Sequence, residues 1–186
     1  MSSPHIIPQI IEKEALKALS YFPQLKHTHI ELKFKKNIKK STMQAQPKFS
    51  SFFKDRSRRS YVILISESFK ISNNKFLTKH IPPDILIGWI GHELGHIMDY
   101  QNRSKFNLIL FGLKYLFLES HVVEAERTAD TFAVNNGMAS YILKTKNFIL
   151  NHANISTNYK TRIKKYYLSP EEIMELVNRK ESMDAF

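Results

Sequence analysis

One pentapeptide, His92-Glu93-Leu94-Gly95-His96, constrains the fold more than any other feature of the chain. It lies within residues 81–100, where apolar residues recur at helical intervals and Pro83 suits a first helical turn. In a helix, side chains four positions apart lie one above the other, so both imidazoles can reach the same ligand. The pattern predicts a helix with its apolar face in the core and His92, Glu93 and His96 on its polar side.

The spacing of these three polar residues is typical of a metal-dependent hydrolase. In an H-E-x-x-H helix the two histidines bind zinc, and the glutamate acts as a general base on water. The alternative is two ordinary helix histidines with a solvated glutamate between them, but the helical context favours the metal site. The chain has no cysteine, so histidine and carboxylate side chains must supply every metal ligand. We expect the metal to be Zn²⁺, held by His92 and His96.

A second predicted helix offers the missing ligand, since catalytic zinc takes three protein ligands and keeps a fourth position for water. Residues 122–134, VVEAERTADTFAV, again show helical spacing, with Glu126 and Asp130 four apart on one face. We predict that Glu126 is the third metal ligand. Asp130 would then accept a hydrogen bond from the far nitrogen of His92 and fix its tautomer. The rival carboxylates, which lack an acidic partner four residues further on, are Glu119 and Glu124.

Together the two motifs carry a family resemblance. HELGH followed by E-R-T-A-D is similar to the H-E-x-x-H plus E-x-x-A-D signature of gluzincin metallopeptidases. The likeness is closest to minigluzincins, which are compact soluble relatives of the CAAX prenyl protease family. It covers about residues 28–167, with weaker support from the segments STMQAQP and RRSYVILIS.

The resemblance implies a fold as well as an activity. The expected class is α+β: a zincin-like domain with a small mixed sheet of about three strands, packed on an active-site helix and a glutamate helix. Additional helices would follow towards the C-terminus. An edge strand of the sheet would align the peptide substrate.

The resemblance also guides the choice of oxyanion donors. Membrane-bound relatives carry a His-Pro pair followed by Arg, with the histidine supporting the transition-state oxyanion. Here residues 156–163 read STNYKTRI, so either Asn158 replaces the histidine or the alignment is offset. The resemblance places this stretch beside the cleft, and a spacing of three residues puts Tyr159 and Arg162 on one helical face. We predict both as oxyanion donors, with a purely structural role as the alternative.

The predicted function is that of a zinc-dependent metalloendopeptidase acting on a peptide or protein substrate. Glu93 would take a proton from water as general base and pass it to the leaving amine. The alternative is a non-catalytic or latent binding or regulatory protein on a gluzincin scaffold, its cleft blocked by its own C-terminal helix or tail. Such a protein could associate with a membrane surface or a nucleic acid through apolar or basic patches.

Length and composition set the remaining bounds. The 186 residues, 42% of them hydrophobic, predict a single domain over 1–186. The N-terminal MSSPHIIPQI lacks the basic and apolar regions of a secretory signal, so the expected location is cytoplasmic. A net charge of +11 is concentrated in clusters within residues 33–40, 56–59 and 162–165. No nucleic-acid-binding module accompanies them, so nucleic acid is not favoured as a partner, and the sequence indicates no oligomeric state.

Periodicity predicts several further elements. The run at residues 61–65, YVILI, predicts a strand that is either buried or at an edge, and the resemblance favours the substrate-aligning edge. A loop with a short turn is predicted for residues 70–83, and Asn135-Asn136-Gly137 should end the glutamate helix. The other predicted elements are helices at residues 10–21, 138–152 and 170–180 and a strand at residues 29–34.

The segment of residues 106–118, FNLILFGLKYLFL, is apolar almost all round and lies between the two predicted metal-binding helices. It is shorter than the about 20 apolar residues that span a bilayer, and Asn107 and Lys114 interrupt it. The leading interpretation is a helix buried in the core. The alternative is a helix that contacts a membrane surface or a partner, because an apolar helix must be covered by something.

Overall fold

The computed structural model describes residues 4–36, 38, 41–71, 74–151 and 157–184, which form a mixed α+β fold. The strands are β1 (His5–Ile6), β2 (His29–Lys35), β3 (Met43–Pro47), β4 (Ser60–Ser66), β5 (Ser68–Ile71) and β6 (Asn74–Leu77). The helices are α1 (Glu12–Leu19), α2 (Phe49–Phe52), α3 (Pro83–Asn102), α4 (Lys105–Phe117), α5 (Glu119–Ala133), α6 (Ala139–Asn151), α7 (Thr157–Tyr166) and α8 (Pro170–Asp184). The α+β class and the predicted helices on either side of the motifs are confirmed.

The main sheet has four strands in the order β1-β2-β4-β3, rather than about three. β4 pairs in parallel with β2 and antiparallel with β3, so both of its edges are occupied. The prediction that residues 61–65 form the substrate-aligning edge is therefore wrong. A continuous apolar run is typical of a strand covered on both faces, and Tyr61, Ile63 and Ile65 are fully buried. The edge facing α3 is β3, which lies within the segment STMQAQP.

A second difference lies at residues 70–83, which were expected to form a loop. Here β5 and β6 pair antiparallel, and a short 3₁₀ turn at Thr78–His80 follows them. Each strand has only four residues, and the sequence between and around them is polar, so the hairpin signal is weak.

Helix α3 is the centre of the molecule, and it packs against α1, α5, α6 and β3. Its glycines let the neighbouring backbones approach closely. A Cβ atom at Gly95 would overlap the carbonyl oxygen of Ala129 in α5, and one at Gly88 would lie 2.7 Å from the carbonyl oxygen of Tyr141 in α6. The separation between α3 and α5 is therefore set by a position that has no side chain.

The predicted end of the glutamate helix and the predicted start of the last helix agree closely with the structure. The glutamate helix breaks at Val134–Met138, where Gly137 has a φ of 89°, a conformation that favours glycine. At the start of α8, Ser169 and Glu172 form a reciprocal capping box, with the Glu172 N–H 3.2 Å from Ser169 Oγ and the Ser169 N–H 2.7 Å from Glu172 Oε2. Helix α8 continues to Asp184, beyond the predicted end.

Helix α4 is not the buried core helix that its composition predicted. Only Leu108 and Phe111 are buried, whereas Phe106 and Phe117 are 76% and 79% exposed. One face of α4 packs on the core, and the apolar residues of the opposite face are exposed in the described part of the chain. No single described helix combines the length and apolar character needed to cross a membrane. The bent pair formed by Lys105–Phe117 and Glu119–Asn151, at an angle of 118°, has the length and composition of a span when both parts are taken together.

We expect the Gly95→Ala protein to be less stable by about 1–3 kcal/mol, because its new methyl group must push α5 away from α3. Gly112→Ala is the control, since a Cβ atom there meets nothing within 4 Å. That change should raise the free energy of unfolding by up to about 1 kcal/mol, as expected for an exposed helical site. Urea denaturation followed by circular dichroism measures both values, and equal effects would contradict the proposed contact.

Candidate metal centre

Three predicted ligands converge between α3 and α5. One ligand atom from each of His92, His96 and Glu126 lies within 4.8 Å of the other two. Glu126 Oε2 is 3.0 Å from His92 Nε2 and 3.6 Å from His96 Nε2. A tetrahedral ion with ligands at about 2.1 Å would hold neighbouring ligand atoms about 3.4 Å apart. The buried group could therefore hold a metal ion with little rearrangement.

The local packing explains why these atoms meet. His92 and His96 are one helical turn apart in α3, and their ring centres are separated by 4.8 Å. Gly95, next to His96, contacts Ala129, which is three residues after Glu126 in α5. The close backbone approach thus brings a short carboxylate side chain within reach of both imidazoles.

Asp130 lies against the other nitrogen of His92, where the sequence placed it. Its Oδ1 is 2.9 Å from His92 Nδ1, and its Oδ2 accepts hydrogen bonds from Lys146 Nζ at 2.7 Å and the Leu168 N–H at 3.1 Å. Burial favours the neutral acid, but the hydrogen bond with His92 and the charge of Lys146 hold the pKa of Asp130 below its usual value. Asp130 is therefore an anion that orients the His92 ring.

The sequence gave only a weak indication that Tyr115 belongs to this cluster and no indication that Lys146 does. The Tyr115 hydroxyl of α4 donates a 2.8 Å hydrogen bond to Glu126 Oε1, leaving Oε2 to face the histidines. The weak indication of Tyr115 is that it places a single hydroxyl group in an otherwise apolar helix. Lys146, only 4% exposed, follows threonine and precedes asparagine in α6, a context that predicts a solvated lysine.

The hydrogen bonds determine the charges within the cluster. Burial disfavours the charged form of His92, but its hydrogen bonds to Asp130 and Glu126 outweigh burial and raise the pKa of His92 to about 10. Burial likewise opposes ionisation of Glu126, yet its hydrogen bonds to His92 and His96 hold the pKa of Glu126 well below its usual range. A metal ion that binds here must displace the proton of His92.

Glu93 is connected to the edge strand. The Ala45 N–H of β3 donates a 2.6 Å hydrogen bond to Glu93 Oε2, and the Tyr100 hydroxyl is 3.4 Å from the carbonyl oxygen of Ala45. Burial raises the pKa of Glu93 against the opposing charges of His96 and His92. The sequence indicated Glu93, but it gave no signal that the Ala45 N–H would hold the carboxylate or that Tyr100 would bond to the Ala45 carbonyl.

These side chains lie in a cavity of about 1050 Å³, bordered by β3, α4, α6 and α7. Pockets that bind ligands are typically about 300–1000 Å³, so the space suffices for a peptide segment. Arg162 lines the cavity and is exposed, and its guanidinium lies 5.3 Å from the centre of the Tyr166 ring. Tyr159 belongs to α7, but its side chain lies outside the described part of the chain.

The rival carboxylates have other partners. Glu119 forms a 2.9 Å ion pair with Lys165 and accepts a 2.6 Å hydrogen bond from Tyr166. Glu124 is 3.2 Å from His121 Nδ1 on its own helix. In the described part of the chain, only Glu126 among these carboxylates contacts the motif histidines.

Metal content tests the ligand set. Wild-type protein should carry about one metal ion per chain, and Glu126→Ala should lose it because two imidazoles alone hold an ion weakly. The matched control is Glu124→Ala, which removes an exposed carboxylate from the same helix and should leave the metal in place. Elemental mass spectrometry gives the ratio. Metal-free wild-type protein after supplementation, or metal retained in Glu126→Ala, would rule out this centre.

Lys146 should affect metal affinity without touching the ion. Replacing it with methionine removes a charged partner from Asp130, so we expect metal affinity to fall by about tenfold, as for other residues that support a ligand histidine. Lys144→Met is the control. Lys144 lies two residues before Lys146 on α6, but it is exposed and forms an ion pair with Asp84. Competition with a metal indicator dye measures both affinities. Equal affinities in the two variants would exclude a supporting role for Lys146.

Comparison of the chain with models of protein families, with curated proteins and with solved structures found no match. The ligand arrangement and the chemistry of its neighbours are therefore the basis for a proposed function.

Proposed function

We propose that the protein is a zinc-dependent endopeptidase of the gluzincin type with a zincin-like fold. The observation that carries the proposal is the convergence of His92, His96 and Glu126 beside Glu93 in one cavity. These are the three ligands and the general base that the H-E-x-x-H motif and a glutamate helix would supply.

The donor set suits zinc. Two imidazoles and one carboxylate, with no cysteine in the chain, form a set that catalytic zinc sites use while keeping one position for water. When bound, zinc would lower the pKa of a water molecule to about 7 and polarise the scissile carbonyl. The Asp130–His92 and Tyr115–Glu126 hydrogen bonds would hold the ligand side chains in the required orientation.

Glu93 is proposed to move the protons. Its Oε2 is held by the Ala45 N–H, while Oε1 accepts no hydrogen bond from the described residues. We propose that Oε1 takes a proton from the attacking water and then delivers it to the leaving amine. The raised pKa of Glu93 helps the first step, because a stronger base accepts the proton of the water more readily near neutral pH.

Strand β3 is proposed to align the substrate. The Thr42 carbonyl oxygen and the Lys48 N–H both bond to β4. Residues of an antiparallel strand alternate between bonding to the partner strand and pointing away from it, so the odd-numbered residues between Thr42 and Lys48 direct their backbone groups away from β4. These outward groups belong to Met43, Ala45 and Pro47; the Ala45 N–H and carbonyl are bonded to Glu93 and Tyr100, so a peptide would have to replace those two bonds. An extended peptide could add to this edge by main-chain hydrogen bonds, which read backbone more than side chains.

Arg162 remains our candidate for the oxyanion, together with Tyr159. Arg162 lines the cavity on α7, and an exposed guanidinium can turn towards a substrate carbonyl.

The latent alternative would require a segment that fills the cavity. None of the described residues of α8 lines it, and Ile173 of α8 is buried in the core instead. A non-catalytic role would be revealed by bound zinc without turnover.

Glu93→Gln should lower kcat for peptide cleavage by about 10²–10⁴-fold, because the amide cannot accept the proton. The metal should be retained, since Glu93 is not among the three ligands. Glu124→Gln serves as the control and should cleave at the wild-type rate. Cleavage of a mixed peptide library, read by mass spectrometry beside the metal content, checks this expectation. An active Glu93→Gln protein would refute the mechanism, and a zinc-loaded but inactive wild type would refute the function.

A further inference from the structure

We propose that the outward face of α4 binds the surface of an anionic lipid bilayer, with the cavity opening beside it. This inference concerns where the protein acts and does not depend on peptidase activity. In α4, Leu108 and Phe111 are buried and Tyr115 is half-buried. The helical positions opposite these three residues point away from the core.

The outward face is apolar over about one-third of a turn. At 100° per residue, its side chains fall within an arc of about 120°, centred opposite Leu108, Phe111 and Tyr115. Their exposed fractions run from 42% to 79%. We call this set the apolar stripe: Phe106, Ile109, Leu110, Leu113, Leu116 and Phe117. Thirteen residues of helix are about 20 Å long, so the stripe suits a helix lying in the interface rather than crossing it.

Charge indicates what covers the stripe. Lys105 and Lys114 are exposed at its two borders, where their ammonium groups could reach lipid headgroups while the stripe enters the acyl boundary. Residues 101–118 contain no aspartate or glutamate, and neither does α7, which borders the same cavity. Helix α7 adds the cations Lys160, Arg162 and Lys164, while its Lys165 is paired with Glu119. Anionic lipid complements both the apolar surface and its cationic surroundings, whereas the phosphate backbone of a nucleic acid would satisfy only the cations.

A second apolar projection borders the same cavity. Phe49 and Phe53 are 85% and 68% exposed, and their ring centres are 6.2 Å apart. Phe52 between them lines the cavity together with Leu113 of the stripe. The residues that follow this projection include the cations Lys54 and Arg56, and Arg58, which is paired with Asp55. Two apolar projections, each accompanied by cations, thus lie at the margin of one cavity.

The stripe is also linked to the candidate metal centre. Tyr115, on the inward side of α4, bonds to Glu126, so the helix that would meet the lipid touches a predicted metal ligand from its other side. A substrate segment at or near the bilayer surface would then reach the cavity without crossing bulk water.

Vesicle binding of the full-length protein tests the proposal. We would compare sedimentation with vesicles of phosphatidylcholine alone and of phosphatidylcholine with phosphatidylserine. Wild-type protein should bind the anionic vesicles at least about tenfold more tightly, and this binding should weaken in high salt. Phe106→Gln with Leu110→Gln, neither of which lines the cavity, should reduce binding to the anionic vesicles by at least about tenfold.

Two further variants separate the contributions. Lys105→Glu with Lys114→Glu should abolish the preference for anionic lipid by reversing the charge at both borders of the stripe. Ile10→Gln with Leu16→Gln is the matched control, because these apolar residues are 60% and 48% exposed elsewhere on the surface, and it should bind as the wild type does. Thermal unfolding followed by circular dichroism verifies that each variant is folded.

Several outcomes would overturn the proposal. They are equal binding by the stripe variant and the wild type, no vesicle binding by the wild type, and binding to RNA in place of vesicles. A wild-type dimer that binds no vesicles and dissociates in the Phe106→Gln, Leu110→Gln protein would assign the stripe to a second copy of the chain. Size-exclusion chromatography with light scattering detects that case.

Discussion

The backbones of α3 and α5 meet where Gly95 faces the carbonyl oxygen of Ala129, and the candidate site depends on this contact. Glutamate has a short side chain, so Glu126 reaches His92 and His96 only if its helix lies unusually close to α3. Any side chain at position 95 would separate the helices and pull the carboxylate away from the imidazoles. The motif therefore needs a small residue between its glutamate and its second histidine for packing, while the polar residues supply the chemistry.

Buried charges around the site alternate in sign. Lys146, Asp130, His92 and Glu126 follow one another through contacts of 3.0 Å or less, and Tyr115 completes the series with a neutral hydroxyl. Burying so many charges is costly, and removing one member leaves its neighbour unpaired. Such a series of buried charges contributes little to the stability of the core, but it holds each side chain in a defined orientation. Replacing the His92 proton with a metal ion would keep a positive charge at the same place in the series.

The sequence predicted the features that depend only on residues close together along the chain. Helical spacing alone brought His92, Glu93 and His96 to one side of a helix and indicated Glu126 and Asp130. It could not predict contacts between distant elements: the central position of β4, the exposure of α4, and the contributions of Tyr115, Lys146 and Ala45 all depend on tertiary packing. Composition misled at α4, because apolar residues predict burial only where a neighbour is available.

The hydrogen bond between the Ala45 N–H and Glu93 has a consequence for how substrate occupancy and basicity are coupled. This bond stabilises the carboxylate anion and so lowers the proton affinity of Glu93. A peptide that pairs with Ala45 along β3 would compete for the same N–H. Once the bond is lost, Glu93 binds a proton more strongly than before. In the proposed enzyme, a peptide bound at the strand edge would therefore raise the basicity of Glu93, and the carboxylate would be less basic in protein without a bound peptide.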